Sequence, residues 1–193
     1  MDRYERLFWD KKKTVIGIDE AGRGPMAGPL VVCGVILPCY YVHPLINDSK
    51  KLNEKQRRHC FVDILNDAEK VIIEIIDPAV IDDVNIYRAT QIAMTNILTS
   101  AKTDALIDAM PIQGQAMEVI SIIKGDQQSI SIAAASIVAK VIRDKIMLTL
   151  DEVYPQYGFA KHKGYPTKQH RQAIETFGRC DVHRKSFLFK SGS

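Results

Sequence analysis

Four carboxylates stand where short apolar runs end. Asp19 and Glu20 follow "VIGI", Asp108 closes "DALID", and Asp126 sits in "KGD" just after "EVISII". Short β-branched runs bounded by glycine or charge read as buried strands. In a sheet flanked by helices, strand-end side chains gather along one edge, so four acids from three strand ends can converge there. Adjacent like charges near a core require hydrogen bonds, a counter-charge or a metal. Four hard oxygen donors with no Cys or His cluster suit Mg2+ or Mn2+. Two such cations about 4 Å apart, bridged by a carboxylate, neutralise a phosphodiester and activate water for its hydrolysis. An isolated strand-end Asp can also cap a turn, and for Asp108 or Asp126 taken alone that reading stays open. Asp144, in "AKVIRDK", is set aside. It follows Asp126 by 18 residues, mostly along one helix, and so lies about 27 Å further on. Its expected partner is Lys140 or Arg143.

The elements that must position these acids follow from periodicity. Residues 14–18, 30–37, 71–76, 104–108 and 118–123 read as strands. Residues 53–68, 84–100 and 129–152 read as helices, with another starting near Thr167. In the helix over 84–100, Ile86, Ala89, Ile92, Ala93 and Ile97 share one face. The order ββαβαββα, sequential strands first and crossovers later, implies an α/β fold with a mixed five-stranded sheet flanked by helices. In a regular strand Asp19 and Glu20 would point to opposite faces, so a shared site calls for a backbone bend there. The glycines that follow permit one. Gly22, Gly24 and Ala27 also fit a dinucleotide fingerprint, but that motif needs a helix next. Here Pro25, Pro29 and a β-branched run intervene, so that reading fails.

The chain of 193 residues suits a single domain over 1–193, with a small basic helical appendage over about 155–193. It is 46% hydrophobic and 25% charged, the profile of a soluble globular protein. The charged opening "MDRYERLFWD" lacks a signal-peptide pattern, and the apolar stretch over 27–39 is broken by Pro29 and Pro38. No membrane partner is expected. Cys33, Cys39, Cys60 and Cys180 show no CxxC spacing and read as reduced thiols of a cytoplasmic protein. Net charge is +3, yet residues 161–190 carry +6 and the remainder −3. A polyanion held against the C-terminal part explains that asymmetry, as does a solvated basic face.

Six ordered blocks resemble the ribonuclease HII family across about residues 14–188. They are "IGIDEAGRGPMAGPLVV", "NDSKKL", "ALIDA", "KGDQQSISIAAASIVAKVIRDK", "YGFAKHKGYPTKQH" and "HRKSF". The resemblance implies a ribonuclease H-like fold. It implies endonucleolytic cutting of RNA in RNA–DNA hybrids and at ribonucleotides embedded in duplex DNA, leaving 3′-hydroxyl and 5′-phosphate ends. The family's four metal-binding acids fall on Asp19, Glu20, Asp108 and Asp126. Asp19 is then expected to bridge two metals, one activating water and the other stabilising the leaving oxygen. Gly22, Arg23 and Gly24 fall on the sensor of the ribose 2′-hydroxyl, and Tyr165 on a tyrosine that stacks on the next deoxyribose. Lys50, Lys51, Lys161 and Lys163 are candidates for backbone phosphates. The family commonly has Gly after its third acid, where this chain has Ala109. Only about 13 residues precede the first strand, so the extra N-terminal domain of ribonuclease HIII is not expected. The chain is expected to act as a monomer. The aromatic residues of "SFLFKSGS" would pack on the body or dock on a sliding clamp. Two rival readings are a catalytically silent hybrid-binding module, which would not need four acids, and another nuclease of this fold such as a junction resolvase.

Overall fold

A computed structural model describes residues 1–46 and 52–187. The central strand β1 (Val15–Ala21) is buried along most of its length because it is covered on both faces. It pairs antiparallel with β2 (Leu30–Ile36), and β2 pairs antiparallel with β3 (Lys70–Ile76). On its other side β1 runs parallel to β4 (Asp104–Asp108), which runs parallel to β5 (Val119–Ile122). The sheet order β3-β2-β1-β4-β5 is the mixed five-stranded sheet that the element order implies.

Alternation sorts the strand residues into two cores. Val15, Val31, Cys33, Val35 and Leu106 pack with Ile132, Ala133, Ala135 and Val138 of the long helix α5 (Ile130–Val153), beneath α2 (Glu54–Asp67). Ile16, Ile18, Leu30, Val32, Ala105 and Ile107 pack with Ala93, Met94 and Ile97 of α4 (Ile86–Ala101) on the opposite face. The helix expected over 84–100 forms as α4, and a further short helix that the periodicity does not predict precedes it. A short α3 (Pro78–Val84) ends at Asn85, whose left-handed φ of 65° stops it and whose side chain accepts from Arg88 N to cap α4. Ile92 turns outward, and Met94 and Leu98 take its place in the core.

Beyond α5 a turn at Pro155–Tyr157, α6 (Phe159–His162) and α7 (Lys168–Phe177) form the expected basic appendage. Its small core joins Tyr157, Phe159, Ala173 and Ile174 to Met147 of α5 and to Met26 and Ala27 of the β1–β2 corner. That docking sets the appendage beside the end of β1. A four-residue α1 (Arg6–Trp9) lies at the N-terminal end, where Glu5 Oε1 accepts from Ser131 N and Ser129 Oγ at the start of α5. Among the described residues no helix is long and apolar enough to cross a membrane. All four cysteines are unpaired.

Candidate active site

β1 does not stop at Ile18. Its antiparallel register with β2 continues through Asp19 opposite Cys33, Glu20 opposite Val32 and Ala21 opposite Val31. The parallel pairing with β4 stops at Ile18 and Ile107, so both acids stand on a strand that has lost one neighbour. The bend expected at the acids falls at Gly22, where φ is +102°. Asp19 continues the α5 face of Val15 and Gly17, and its carboxyl is buried at 5% exposure. Glu20 starts from the other face but lines a rim cleft with Ser136, Ile137 and Lys140 of α5.

Close packing of α5 on β1 builds the floor of this site. A Cβ on Gly17 would lie 2.1 Å from the Ser131 carbonyl carbon, so only glycine admits the helix there. The small run Ala133, Ala134 and Ala135 continues that contact along α5. The approach delivers the Ser136 hydroxyl to Asp19 as a hydrogen-bond partner. Asp19 Oδ1 also accepts from Glu20 N at 2.7 Å. Asp108 ends β4 with Oδ1 accepting from Gly125 N at 2.7 Å. Asp126 is the next residue, buried in the short turn Gly125–Gln127 between β5 and α5.

The electrostatics show that three of the acids sense one another. Burial, then Glu20 and Asp108, push the Asp19 carboxyl well above the usual range, against hydrogen bonds from Ser136 and Glu20 N. Burial raises Glu20 to about 7, with Asp108 adding to the rise and the Arg23 guanidinium, 3.5 Å away, opposing it. Glu20 Oε2 is buried without a hydrogen-bond partner. As these side chains stand, no three His, Cys, Asp or Glu among the described residues form a ready-made metal cage. The donor set nevertheless fits a hard divalent cation, which would relieve the repulsion and take up the orphaned oxygen.

Next to the acids the cleft, of about 360 Å³, is lined by Gly22, Arg23, Gly24, Arg57, Arg143 and Tyr165. A Cβ on Gly24 would meet Tyr165 Cε1 at 3.5 Å, which sets the ring against the glycine corner. Tyr165 is 44% exposed and faces outward, so it is not a core tyrosine. Lys163 lines an adjoining cavity of about 340 Å³ with Arg57, Arg58 and Lys145. Lys161 is exposed on α6 and does not line the cleft. Lys50 and Lys51 lie outside the described residues. Asp144 is held by Lys140, one of its expected partners, at 2.7 Å and lines the adjoining cavity rather than the cleft.

The sequence model of the family described as ribonuclease HII matches residues 16–190. The chain belongs to the ribonuclease HII family. A Listeria innocua ribonuclease HII is 51% identical over 191 residues, covering 97% of this chain and 73% of that relative. In the solved complex of PCNA with ribonuclease HII from Archaeoglobus fulgidus, the matched chain shares 23% identity at a TM-score of 0.79. The match covers 93% of this chain and 98% of that one. A ribonuclease HIII solved with Mn2+ shares 15% identity at a TM-score of 0.68, covering 91% and 67%. Both likenesses are of fold. As a ribonuclease HII family member the chain is an endonuclease of the hydrolase class, acting on RNA in RNA–DNA hybrids.

Within that family background, the fold adds Arg57, Ser136 and Arg184 as cleft and support residues, and gives Lys140 and Arg143, expected only as partners of Asp144, a place beside them. Lys140 and Ser136 sit in one of the family-like blocks, but only the crossing of α5 over Gly17 shows that Ser136 reaches Asp19 and that Lys140 lines the cleft. Ala109, where the family commonly has glycine, adopts φ 47° while its N–H bonds Ile122 O at 3.0 Å. The ladder to β5 therefore holds an alanine in a glycine conformation.

Proposed function

We propose that Asp19, Glu20, Asp108 and Asp126 hold Mg2+ or Mn2+ and carry the hydrolysis, and that Gly22, Arg23, Gly24 and Tyr165 select the sugar. The substrates are RNA–DNA hybrids and duplex DNA with embedded ribonucleotides, and the products carry 3′-hydroxyl and 5′-phosphate ends. The observation that carries this reading is the adjacency of mutually destabilised carboxylates to a cleft lined by the glycine corner. A divalent cation pair there would supply charge neutralisation at the phosphate and a water of lowered pKa. The chain's own part is to fix the carboxylates. The Ser136 side chain and Glu20 N orient Asp19, and Gly125 N donates to Asp108 from the turn after β5.

Arg57 lines the same cleft and supplies positive charge where a backbone phosphate would pass, beside Lys140, which is paired with Asp144. Lys163 does so in the adjoining cavity, while Lys50, Lys51 and Lys161 are phosphate contacts only by resemblance. Phe187 is already engaged, its ring 5.0 Å from the Arg184 guanidinium, so a sliding-clamp contact would have to use residues beyond it. The test is a DNA duplex with one embedded ribonucleotide, incubated with Mg2+ or Mn2+. Cutting beside the ribonucleotide is expected, and no cut under either metal with folded protein overturns the reading.

A further inference from the structure

Two arginines are buried with no carboxylate at ion-pair distance among the described residues. Arg143 is 1% and Arg184 0% exposed, and among the described residues neither has an ion pair within 4.0 Å. Such a charge is costly unless its donors are satisfied. Here backbone carbonyls satisfy them. Arg184 donates through Nε to Gly28 O at 3.0 Å, through Nη1 to Arg23 O at 3.2 Å, and through Nη2 to Gly22 O at 2.6 Å and Gly28 O at 2.9 Å. Arg143 donates to Pro29 O, Lys163 O and Ala27 O at 3.0, 3.0 and 3.1 Å.

We propose that Arg143 and Arg184 are positioning residues that set the discrimination between ribose and deoxyribose. The inference rests on reading Gly22, Arg23 and Gly24 as the sugar contact. No peptide bond among the described residues is cis, and in a trans peptide the carbonyl and the following N–H point in opposite directions. With Gly22 O and Arg23 O turned to Arg184, the N–H groups of Arg23 and Gly24 point away from it. Both residues line the cleft, so two successive amides become donors for a sugar oxygen. The corner also rests directly on Arg143, since a Cβ on Gly22 would lie 2.2 Å from its Nε. The same guanidinium holds Lys163 O, and Met26 N donates to Gly164 O at 2.8 Å. Tyr165 and the glycine corner are thereby fixed as one unit. Lysine could supply the charge but not the planar fork that gathers carbonyls from several residues.

The test measures binding in an Asp108→Asn background, after checking that cutting is gone. Dissociation constants are compared for a duplex with one ribonucleotide and the same duplex in all-DNA form. The parent is expected to prefer the ribonucleotide duplex about tenfold. Arg184→Lys and Arg184→Gln should bring that ratio to within about twofold of one, while all-DNA affinity moves less than about threefold. If Arg184→Gln does not fold, Arg184→Lys and Arg143→Lys carry the test. A ratio that persists in the variants overturns the inference alone. Parallel weakening of both duplexes also overturns it, because a merely structural role loosens both. A parent with no preference overturns the reading of the glycine corner, and the inference falls with it.

Discussion

The acid cluster and the glycine corner are neighbours with opposite solutions to buried charge. Glu20 and Asp108 raise the Asp19 carboxyl, Asp108 raises that of Glu20, and Glu20 Oε2 is left without a hydrogen bond. Arg143 and Arg184 are buried as deeply but commit their donors to backbone carbonyls. The proposed cation would complete one region; the other is complete as folded. Substitutions in the two regions should therefore register in different measurements. Changes among the acids should cost activity and spare or raise stability, whereas changes at the arginines should cost stability itself.

The largest expected effect lies on the acid side. Asp108→Asn should lower cleavage of a single-ribonucleotide duplex by about a thousandfold or more, ~4 kcal/mol of barrier, measured as initial rate in Mg2+. Its metal-free thermal midpoint should stay level or rise by a few degrees, because a repulsive charge leaves. A fully active variant would remove Asp108 from the site. On the arginine side, Arg184→Ala should destabilise the fold by about 3–5 kcal/mol, since it strands carbonyls of Gly22, Arg23 and Gly28. Urea unfolding measures this, and a loss under about 1 kcal/mol would mean water replaces the guanidinium at little cost.

This contrast also divides what is legible in the sequence. The acids announce themselves because a strand end is a local pattern: an apolar run, then charge, then glycine. Strand order predicts their convergence, and β1, β4 and the turn after β5 carry them at neighbouring strand ends. The arginines give no comparable signal. Their partners are carbonyls 114 and 162 residues away in Pro29 and Gly22, and every residue carries a carbonyl. Ser136 is hidden for a related reason, because only the glycine-permitted approach of α5 brings it to Asp19. The bend falls after the acids rather than at them because a strand with one remaining partner stays extended, and β2 carries β1 on to Ala21.

A smaller effect separates the two kinds of buried group through pH. Glu20 is raised from 4.5 to about 7 in the fold, so over that range the unfolded chain releases a proton that the folded chain keeps. Metal-free stability should therefore fall as pH rises from about 4.5 to 7, by about 3 kcal/mol from this group. His170 and His183 work in the opposite sense. Burial lowers both to about 4, so their contribution is present above about 6.5 and is lost as pH falls toward 4. Glu20→Gln isolates the acid: its stability advantage over the parent should grow between about pH 5 and 7.5 in metal-free melts. An advantage independent of pH would place the Glu20 carboxyl in the ordinary range. Metal affinity should rise over the same interval, because only the ionised carboxylate binds.

The smallest effect concerns the junction of the two regions with the sheet. Ala109 holds φ 47° directly after Asp108, and its N–H is bound to Ile122 O. A left-handed backbone costs a non-glycine residue about 1 kcal/mol, whereas glycine adopts it freely but has more unfolded-state entropy to lose. The two terms nearly offset, so Ala109→Gly should change stability by no more than about 1 kcal/mol, in the stabilising direction. Its cleavage rate should stay within about threefold of the parent, because Asp108 is fixed from the other side by Gly125 N. Valine at the same position has the branched Cβ that this conformation tolerates least. Ala109→Val should lose stability and also cleavage, by tilting Asp108 away from Asp19. If valine lowers stability alone, the Gly125 contact by itself holds the third acid, and the strand end rather than the loop fixes the geometry of the site.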